Sequence, residues 1–478
     1  MTTSRPERIA IIGGGFCGVI TAVNLARLSR RPLELILINA ARPTGRGAAY
    51  GTRRMEHLLN VPARNMSAFP DIPDHFLQWL RTRSQYDLTP DRELRERFIP
   101  RMIYGDYIRG LMQQHLQGQG ESALVQCTFV DDEAVDVAQA DQHAVVHLAH
   151  GETVEADRVV LATGNEVPAG LPGSEKLENH PGWIANPWKS WEHRLPATGG
   201  TVILLGTGLT TVDAVITLRT LGWQGIVHAV SRNGWLPHSH FRGIEYPDFP
   251  PGDVDLPSLG LKKLVALMEQ HCARLRDLNA NPAIIVDKMR PYTQRVWAQL
   301  TVEERLEFSR TYAARWNIHR HRIAPEIYAQ LTTAQLTGQL SVHAANIEQL
   351  LSEANQVRVN LSDGKALVGD LVINATGPHA RLTATGSVLL QNLLKRGLAI
   401  PDDMDMGLRV DPDHTMIDAD GRRSKSLLTL GPLLRGTLWE TIAVPELRGQ
   451  ARRVAETLLD QTPSPSIGQG QIMMEYMI

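Results

Sequence analysis

A short apolar run, a glycine turn and then a run at helical spacing confine a chain to few architectures, and this chain opens with that pattern. Residues 8–13 (RIAIIG) are apolar throughout, as a strand buried on both faces must be. Gly13-Gly14-Gly15-Phe16-Cys17-Gly18 follows as a G-x-G-x-x-G. Val19, Ile20, Val23, Ala26 and Leu28 then recur at helical spacing, and residues 33–38 (LELILI) make the next strand. Each glycine has its own task. Gly13 permits the tight turn, Gly15 lets a pyrophosphate approach the backbone, and Gly18 lets helix and strand pack closely. The helix N-terminus offers unpaired N–H groups and its positive dipole end to the phosphates. The unit is read as a dinucleotide site, with Gly13, Gly15, Phe16, Cys17 and Gly18 around the phosphates. At the end of the second strand Asn39 replaces the usual acidic residue. An amide still hydrogen-bonds ribose hydroxyls but adds no charge.

The same pattern returns almost two hundred residues later. Residues 201–218 (TVILLGTGLTTVDAVITL) hold a strand, Gly206-Thr207-Gly208-Leu209-Thr210-Thr211 and a helix, and 226–230 supply the following strand. Gly206, Gly208 and Thr210 are expected at a second phosphate site, although Thr211 stands where the third glycine would be. Ser231 and Arg232 come after the next strand. Arg232 there can pair with a ribose 2′-phosphate, favouring NADPH over NADH, or can be an ordinary surface arginine. Two such units imply two dinucleotides, and one flavin plus one nicotinamide is the economical pair. FAD and NADPH (or NADH) are therefore the expected cofactors.

The resulting expectation is an α/β chain with two Rossmann-like domains, the second inserted in the first. Its parts are residues 1–165 (FAD domain, first part), 166–370 (NAD(P) domain, with a helical insert at about 258–334), 371–460 (FAD domain, second part) and a tail at 461–478. Strands are expected at 124–130, 133–138 and 143–148, and again across 339–374; the last helix is expected at 444–460. A chain of 478 residues exceeds what one core usually serves. With 49 basic against 51 acidic residues, charge gives no reason to expect nucleic acid or a membrane surface. No apolar run reaches the length of a membrane span, and the N-terminus lacks a signal-peptide layout, so the expected location is the cytoplasm. Cys17, Cys127 and Cys272 form no Cys-x-x-Cys pair.

Beyond these units the chain resembles the two-dinucleotide-binding-domain flavoprotein oxidoreductases related to flavin-dependent monooxygenases, a set that includes an FAD-dependent urate hydroxylase. The resemblance covers about 1–460 and is carried by GRGAAYG (45–51), HLLNVPARNMS (57–67), FIPRMIYGDYI (98–108), HRHRIAPE (319–326) and GTLWETIAVPELRGQA (436–451). Asn60, in Leu59-Asn60-Val61-Pro62, matches the family asparagine beside flavin and nicotinamide. The resemblance implies that it helps hold a flavin C4a-hydroperoxide; alternatively it caps the turn before Pro62. Ala162-Thr163-Gly164 and Ala375-Thr376-Gly377 match the family's crossings between domains, placing Thr163, Gly164, Thr376 and Gly377 near the cofactors. Gly431, in Leu430-Gly431-Pro432, and Thr441 precede the last helix, whose N-terminus would face the flavin pyrimidine; Thr441 also reads as an ordinary N-cap. The family motif Phe-x-Gly-x-x-x-His is absent, which argues against Baeyer–Villiger chemistry.

The implied function is FAD-dependent NAD(P)H monooxygenation of a small nitrogen-containing substrate, a urate-like heterocycle or an amine, with O2 as co-substrate. A reductase passing electrons to another acceptor and a non-catalytic nucleotide-binding regulator remain open. Oligomeric state is not legible. Two further groups stand out. Arg315, His319 and Arg322 would share one helical face and clamp an anion, or else form a salt-bridged domain interface. His238 and His240 would share a strand face, but without a third ligand no metal site is expected. Trp183, Trp188 and Trp191 read as packing residues of the connector.

Overall fold

The computed structural model describes residues 5–40, 43–117, 120, 123–139, 143–241 and 243–462, so the expected tail lies outside the described residues from 463 onward. Its strands are β1 (Glu7–Ile12), β2 (Leu33–Ile38), β3 (Val125–Val130), β4 (Ala134–Gln139), β5 (Ala144–Leu148), β6 (Thr153–Ala156), β7 (Arg158–Leu161), β8 (Trp183–Ile184), β9 (Thr201–Leu205), β10 (Ile226–Ser231), β11 (Leu340–Ala344), β12 (Ile347–Glu353), β13 (Gln356–Leu361), β14 (Ala366–Gly369), β15 (Leu371–Asn374), β16 (Thr415–Ile417) and β17 (Arg423–Thr429). The first sheet runs β16-β17-β7-β1-β2-β3 and the second β11-β10-β9-β15-β8. All pairings in the second sheet are parallel, and only β16 is antiparallel in the first. Because β17 pairs with β7 after the chain has completed the second sheet, the second unit is inserted in the first.

Both faces of each sheet are covered. In β1, Ile9 and Ile11 join a core with the helices Phe16–Leu28 and Val444–Leu458, while Ala10 and Ile12 join another with the meander β4-β5-β6. In β9, Val202 and Leu204 pack against the helix Leu209–Thr220, whereas Ile203 and Leu205 face β12-β13. Side chains alternate between faces, so apolar residues at every position are needed to bury both.

The two halves repeat one plan: strand, glycine turn, helix, strand, then a third parallel strand, a three-stranded antiparallel meander and a return strand ending in Ala-Thr-Gly. β4-β5-β6 serves the first half and β12-β13-β14 the second. The strands expected at 124–130, 133–138 and 143–148 are β3, β4 and β5; β3 lies parallel on β2, whereas β4 and β5 form the meander with β6. Residues 183–184 add β8 to the second sheet. One expectation about the sheets is corrected. The boundary at 370 falls one strand too early, because β15 pairs with β9 and the chain leaves the second sheet only after Asn374. Continuous apolar strands look alike in sequence, and pairing depends on contacts far along the chain.

The helical insert begins with Gly260–Asp277 and ends with Ala313–Arg320; the helix Pro325–Leu336, which the expected insert included, packs instead into the core of the second sheet through Ile327, Leu331 and Ala334. The insert has its own core, including Leu264, Ile285 and Trp297, against which Trp439 of the C-terminal segment packs. Trp297 stacks on Trp439 with ring centroids 4.9 Å apart and donates a 2.7 Å hydrogen bond to the Gly436 carbonyl. The insert thus fixes the segment before the last helix. Among the described residues no helix is long and apolar enough to cross a membrane.

Candidate cofactor and active site

The two glycine turns have nearly the same geometry. Gly13 has φ +115° and Gly206 φ +120°, a region L side chains rarely adopt. A Cβ on Gly13 would lie 2.2 Å from the Ala162 carbonyl oxygen, and one on Gly206 2.2 Å from that of Ala375. Each Ala-Thr-Gly turn therefore abuts the first glycine of its own unit. Gly164 and Gly377 have φ +75° and +90° with no protein atom within 4 Å of an added Cβ, so conformation rather than crowding by protein requires glycine there. Thr163 is exposed, while Thr376 donates a 2.7 Å hydrogen bond to the Asn374 side chain.

Gly15 and Gly208 cap their helices with matching backbone angles, φ −83°, ψ −165° and φ −84°, ψ −163°. No side chain caps either helix and neither first turn carries an acid. The first intrahelical bonds are Val19 N–H to Gly15 O and Val212 N–H to Gly208 O. The preceding N–H groups, those of Phe16, Cys17 and Gly18 and of Leu209, Thr210 and Thr211, have no intrahelical acceptor and suit phosphate oxygens. The halves differ at the third glycine. A Cβ on Gly18 would sit 1.9 Å from the Gly13 carbonyl oxygen. Thr211 occupies the equivalent place because its hydroxyl donates to the Gly206 carbonyl at 2.7 Å. The substitution therefore leaves the second turn intact.

Around the first turn, Phe16 is buried and stacks near Tyr104, with centroids 6.4 Å apart. Cys17 is buried, and burial pushes its thiol up to about 12, so it stays protonated. Its sulfur would meet a Cβ on Gly431 at 3.0 Å, which brings the C-terminal segment against this helix start. Asn39 accepts from Gly14 N–H at 3.0 Å and donates to Thr44 at 3.1 Å. Gly45 N–H binds the Gly14 carbonyl, so GRGAAYG lies across the turn. Thr441 is not a helix cap: the last helix is Val444–Leu458 with Ala443 as its cap. Instead, Thr441 donates to the Gly431 carbonyl at 2.8 Å and accepts from Gln450, which also accepts from Gly431 N–H. This buried ring of bonds locks Gly431 beside Cys17.

The second turn opens into a cavity of about 840 Å³, of the size a dinucleotide needs. Gly206, Gly208, Thr210, Ser231, Arg232, Thr376 and Gly377 line it, and its far wall includes His321, Arg435, Trp439 and Glu440. Ser231 bonds Thr207 and accepts from Gly234 N–H, fixing the turn that carries Arg232. Arg232 is exposed and makes no ion pair among the described residues. The C-terminal segment thus touches the first turn at Gly431 and the second unit's cavity at Trp439–Glu440.

Asn60 lies where the first unit meets the helix of the second, beside Leu209, Val212 and Asp213. Its carbonyl accepts a 2.9 Å hydrogen bond from His240. Burial, reinforced by Arg322, lowers the His240 pKa to about 4, keeping the ring neutral. Arg101 pairs with Asp213 at 2.5 Å across the same junction.

The arginine–histidine block does not form an anion clamp. The helix Ala313–Arg320 ends before Arg322, so Arg315, His319 and Arg322 do not share a helical face. Arg322 is buried and binds Asp287 through both carboxylate oxygens at 2.7 and 2.8 Å. Arg320 is buried against Glu440 at 3.1 Å and Glu446 at 3.4 Å, tying the insert to the C-terminal segment. Arg315 faces Glu269 at 3.7 Å. His238 stacks on His319, away from His240's bond to Asn60, and the described residues hold no metal-binding cluster. Sequence reasoning gave Arg435, Trp439 and Glu440 no place in the cavity wall. The available signal was GTLWETIAVPELRGQA (436–451), which holds Trp439 and Glu440 and begins one residue after Arg435.

Residues 10–166 match a family model described as FAD-NAD(P)-binding. An uncharacterised protein of Mycobacterium tuberculosis is 21% identical over 405 residues, covering 76% of this chain and 73% of that protein. Among solved structures, the ornithine N-hydroxylase of Kutzneria sp. 744, with reduced FAD, NADP+ and L-ornithine, is similar at TM-score 0.65 and 14% identity, over 95% of this chain and 99% of that one. The cadaverine monooxygenase of Erwinia amylovora bound to FAD is similar at TM-score 0.65 and 14% identity, over 97% and 96%. The fold is that of the two-dinucleotide-binding flavoprotein oxidoreductases. Within that class its architecture is shared with the ornithine N-hydroxylase and the cadaverine monooxygenase.

Proposed function

We propose that the protein is an FAD-dependent NAD(P)H monooxygenase that hydroxylates a nitrogen of a small amine. The observation that carries this reading is the pair of superposable glycine turns, joined by one C-terminal segment that contacts the first at Gly431 and lines the second unit's cavity at Trp439 and Glu440. The FAD phosphates fit the open N–H groups of Phe16, Cys17 and Gly18, where Gly13 and Gly15 leave no side chain in the way. The nicotinamide dinucleotide fits the cavity, with Gly208 and Thr210 at its pyrophosphate and Arg232 at a 2′-phosphate. Bound there, the flavin supplies hydride acceptance and the activation of O2.

The chain's own residues supply placement and exclusion of water. Asn60 presents a donor and an acceptor at the junction, and His240 fixes its backbone. Trp297, Trp439 and the Arg320–Glu440 pair close the site from the insert side. Amines are favoured over a urate-like substrate because the solved structures of like fold act on ornithine and cadaverine. The domain limits, with the second unit ending after Asn374, and the site roles of Asn60, Asn39 and Arg232 form part of the same proposal.

The test is turnover of the FAD-loaded protein with NADPH or NADH in buffer equilibrated with ¹⁸O2, offering ornithine, cadaverine and urate separately. The expected result is a hydroxylamine product carrying one labelled oxygen. Cofactor oxidation that persists without O2, in the presence of an electron acceptor, would identify a reductase instead.

A further inference from the structure

Arg435 stands out among the charged groups of the large cavity. It follows Gly431-Pro432 and lines both this cavity and a smaller one bounded by Gly164, Glu166, His379 and Pro432. It therefore sits between the two Ala-Thr-Gly turns, where the first and second units meet. Its hydrogen bond is to the neutral Asn165 side chain at 3.3 Å, and among the described residues no carboxylate pairs with it. The nearby acids are committed elsewhere. Glu440 accepts from Trp316 and Arg320, and Glu166 accepts from Thr385 and Gly386 N–H. Burial lowers the Arg435 pKa, yet a guanidinium remains charged. His321, beside it on the cavity wall, is kept neutral by burial and by Arg320, with a pKa lowered to about 4. The charged side chains in the described cavity wall are thus two arginines without a carboxylate partner, Arg232 and Arg435, and one glutamate, Glu440, already paired with Arg320. A partly desolvated cation without a counter-ion is unfavourable until an anion joins it.

We infer that Arg435 is the centre of a second anion subsite, distinct from the 2′-phosphate position at Arg232, that receives an oxyanion of the ligand bound in the cavity. The chemistry is that of a carboxylate or a phosphate oxygen held by a charge-assisted, two-pronged hydrogen bond. Two ligands can deliver it: the pyrophosphate of the nicotinamide dinucleotide, or a carboxylate on the amine substrate. The second source rests on the proposed function; the first requires only that the cavity take a dinucleotide. In either case an arginine carried on the C-terminal segment of the first unit holds a ligand of the second.

The experiment uses the full chain loaded with FAD. NADP+ and inorganic pyrophosphate are titrated by calorimetry into wild type, R435Q and R435K. In parallel, the KM for ornithine, which has a carboxylate, is compared with that for cadaverine, which lacks one. Flavin content and melting temperature monitor folding, which a side chain with one bond to Asn165 affects little. If the dinucleotide is the occupant, R435Q weakens NADP+ and pyrophosphate by about tenfold or more, and R435K recovers part of the loss. If the substrate is the occupant, NADP+ binding is unchanged, and the ornithine KM alone rises by about the same factor in R435Q. Wild-type behaviour of R435Q in both arms overturns the inference. Because the binding arm needs no turnover, failure to hydroxylate amines would count against the proposed function and leave the anion subsite to be judged on the titrations.

Discussion

Gly208→Ala isolates ligand contact from protein folding. Gly208 caps the second helix at φ −84° and ψ −163°, which alanine adopts without strain, and no protein atom lies within 4 Å of the added Cβ. Stability should change little, or rise by up to about 1 kcal/mol as the unfolded chain loses freedom. The new methyl projects into the cavity where the pyrophosphate is expected. A methyl forced against a close contact costs about 1–3 kcal/mol, by analogy with overpacked cores. At about 1.4 kcal/mol per tenfold, that is about 5- to 150-fold in Kd. The contrast is Gly206→Ala, where φ is +120° and the Cβ would lie 2.2 Å from the Ala375 oxygen, so both folding and binding should suffer. The assay is calorimetric titration of NADP+ into the FAD-loaded protein, beside thermal melting and flavin content. The expected pattern for Gly208→Ala is unchanged melting, full flavin and weakened NADP+. Wild-type NADP+ affinity in that variant would refute the placement of the dinucleotide on this turn.

Thr211→Val removes the 2.7 Å bond to Gly206 and should cost about 1 kcal/mol, read as a lower melting temperature with a raised NADPH KM. Thr441→Val opens the buried ring with Gly431 and Gln450; it should cost about 1–3 kcal/mol and lower FAD retention on gel filtration. Asn60→Ala should leave flavin reduction by NADPH largely intact, with less hydroxylated product and more peroxide per NADPH oxidised, measured side by side. His414 is buried, with its pKa lowered to about 4 by burial. The unfolded chain therefore binds its proton first, and stability present above about pH 6.5 is lost as pH falls towards 4. Melting scans should show that decline, and His414→Gln should make it shallower.

The phosphate turns were legible because their requirements are local. A Gly at φ +115° or +120° touching a carbonyl admits no other residue, and an all-apolar strand before it buries both faces. The Thr211 exception was visible, but its bond to Gly206 was not, because a hydroxyl's partner depends on how the helix sits. Strand identity at 33–38 was readable, whereas the pairing of β15 with β9 was not, since residues 371–374 look equally apolar in either sheet. In the Arg315–Arg322 block the salt-bridged interface is the reading that holds; the shared helical face fails because the helix ends at Arg320. The block's acids, Asp287, Glu440 and Glu446, lie at other places in the chain, so only the fold shows them as partners. For Thr441 the alternative reading as a cap fails, and its partner Gly431, ten residues away across a turn, was not legible in the sequence.

The most direct measurement is anaerobic stopped-flow mixing of the FAD-loaded protein with NADPH and, separately, NADH, following the flavin's visible absorbance. Loss of that absorbance in a phase that saturates with nicotinamide concentration, and slower in Gly208→Ala at low concentration, is the predicted result. A protein that holds no flavin, or a flavin that neither nicotinamide reduces, would contradict a shared site for two redox dinucleotides.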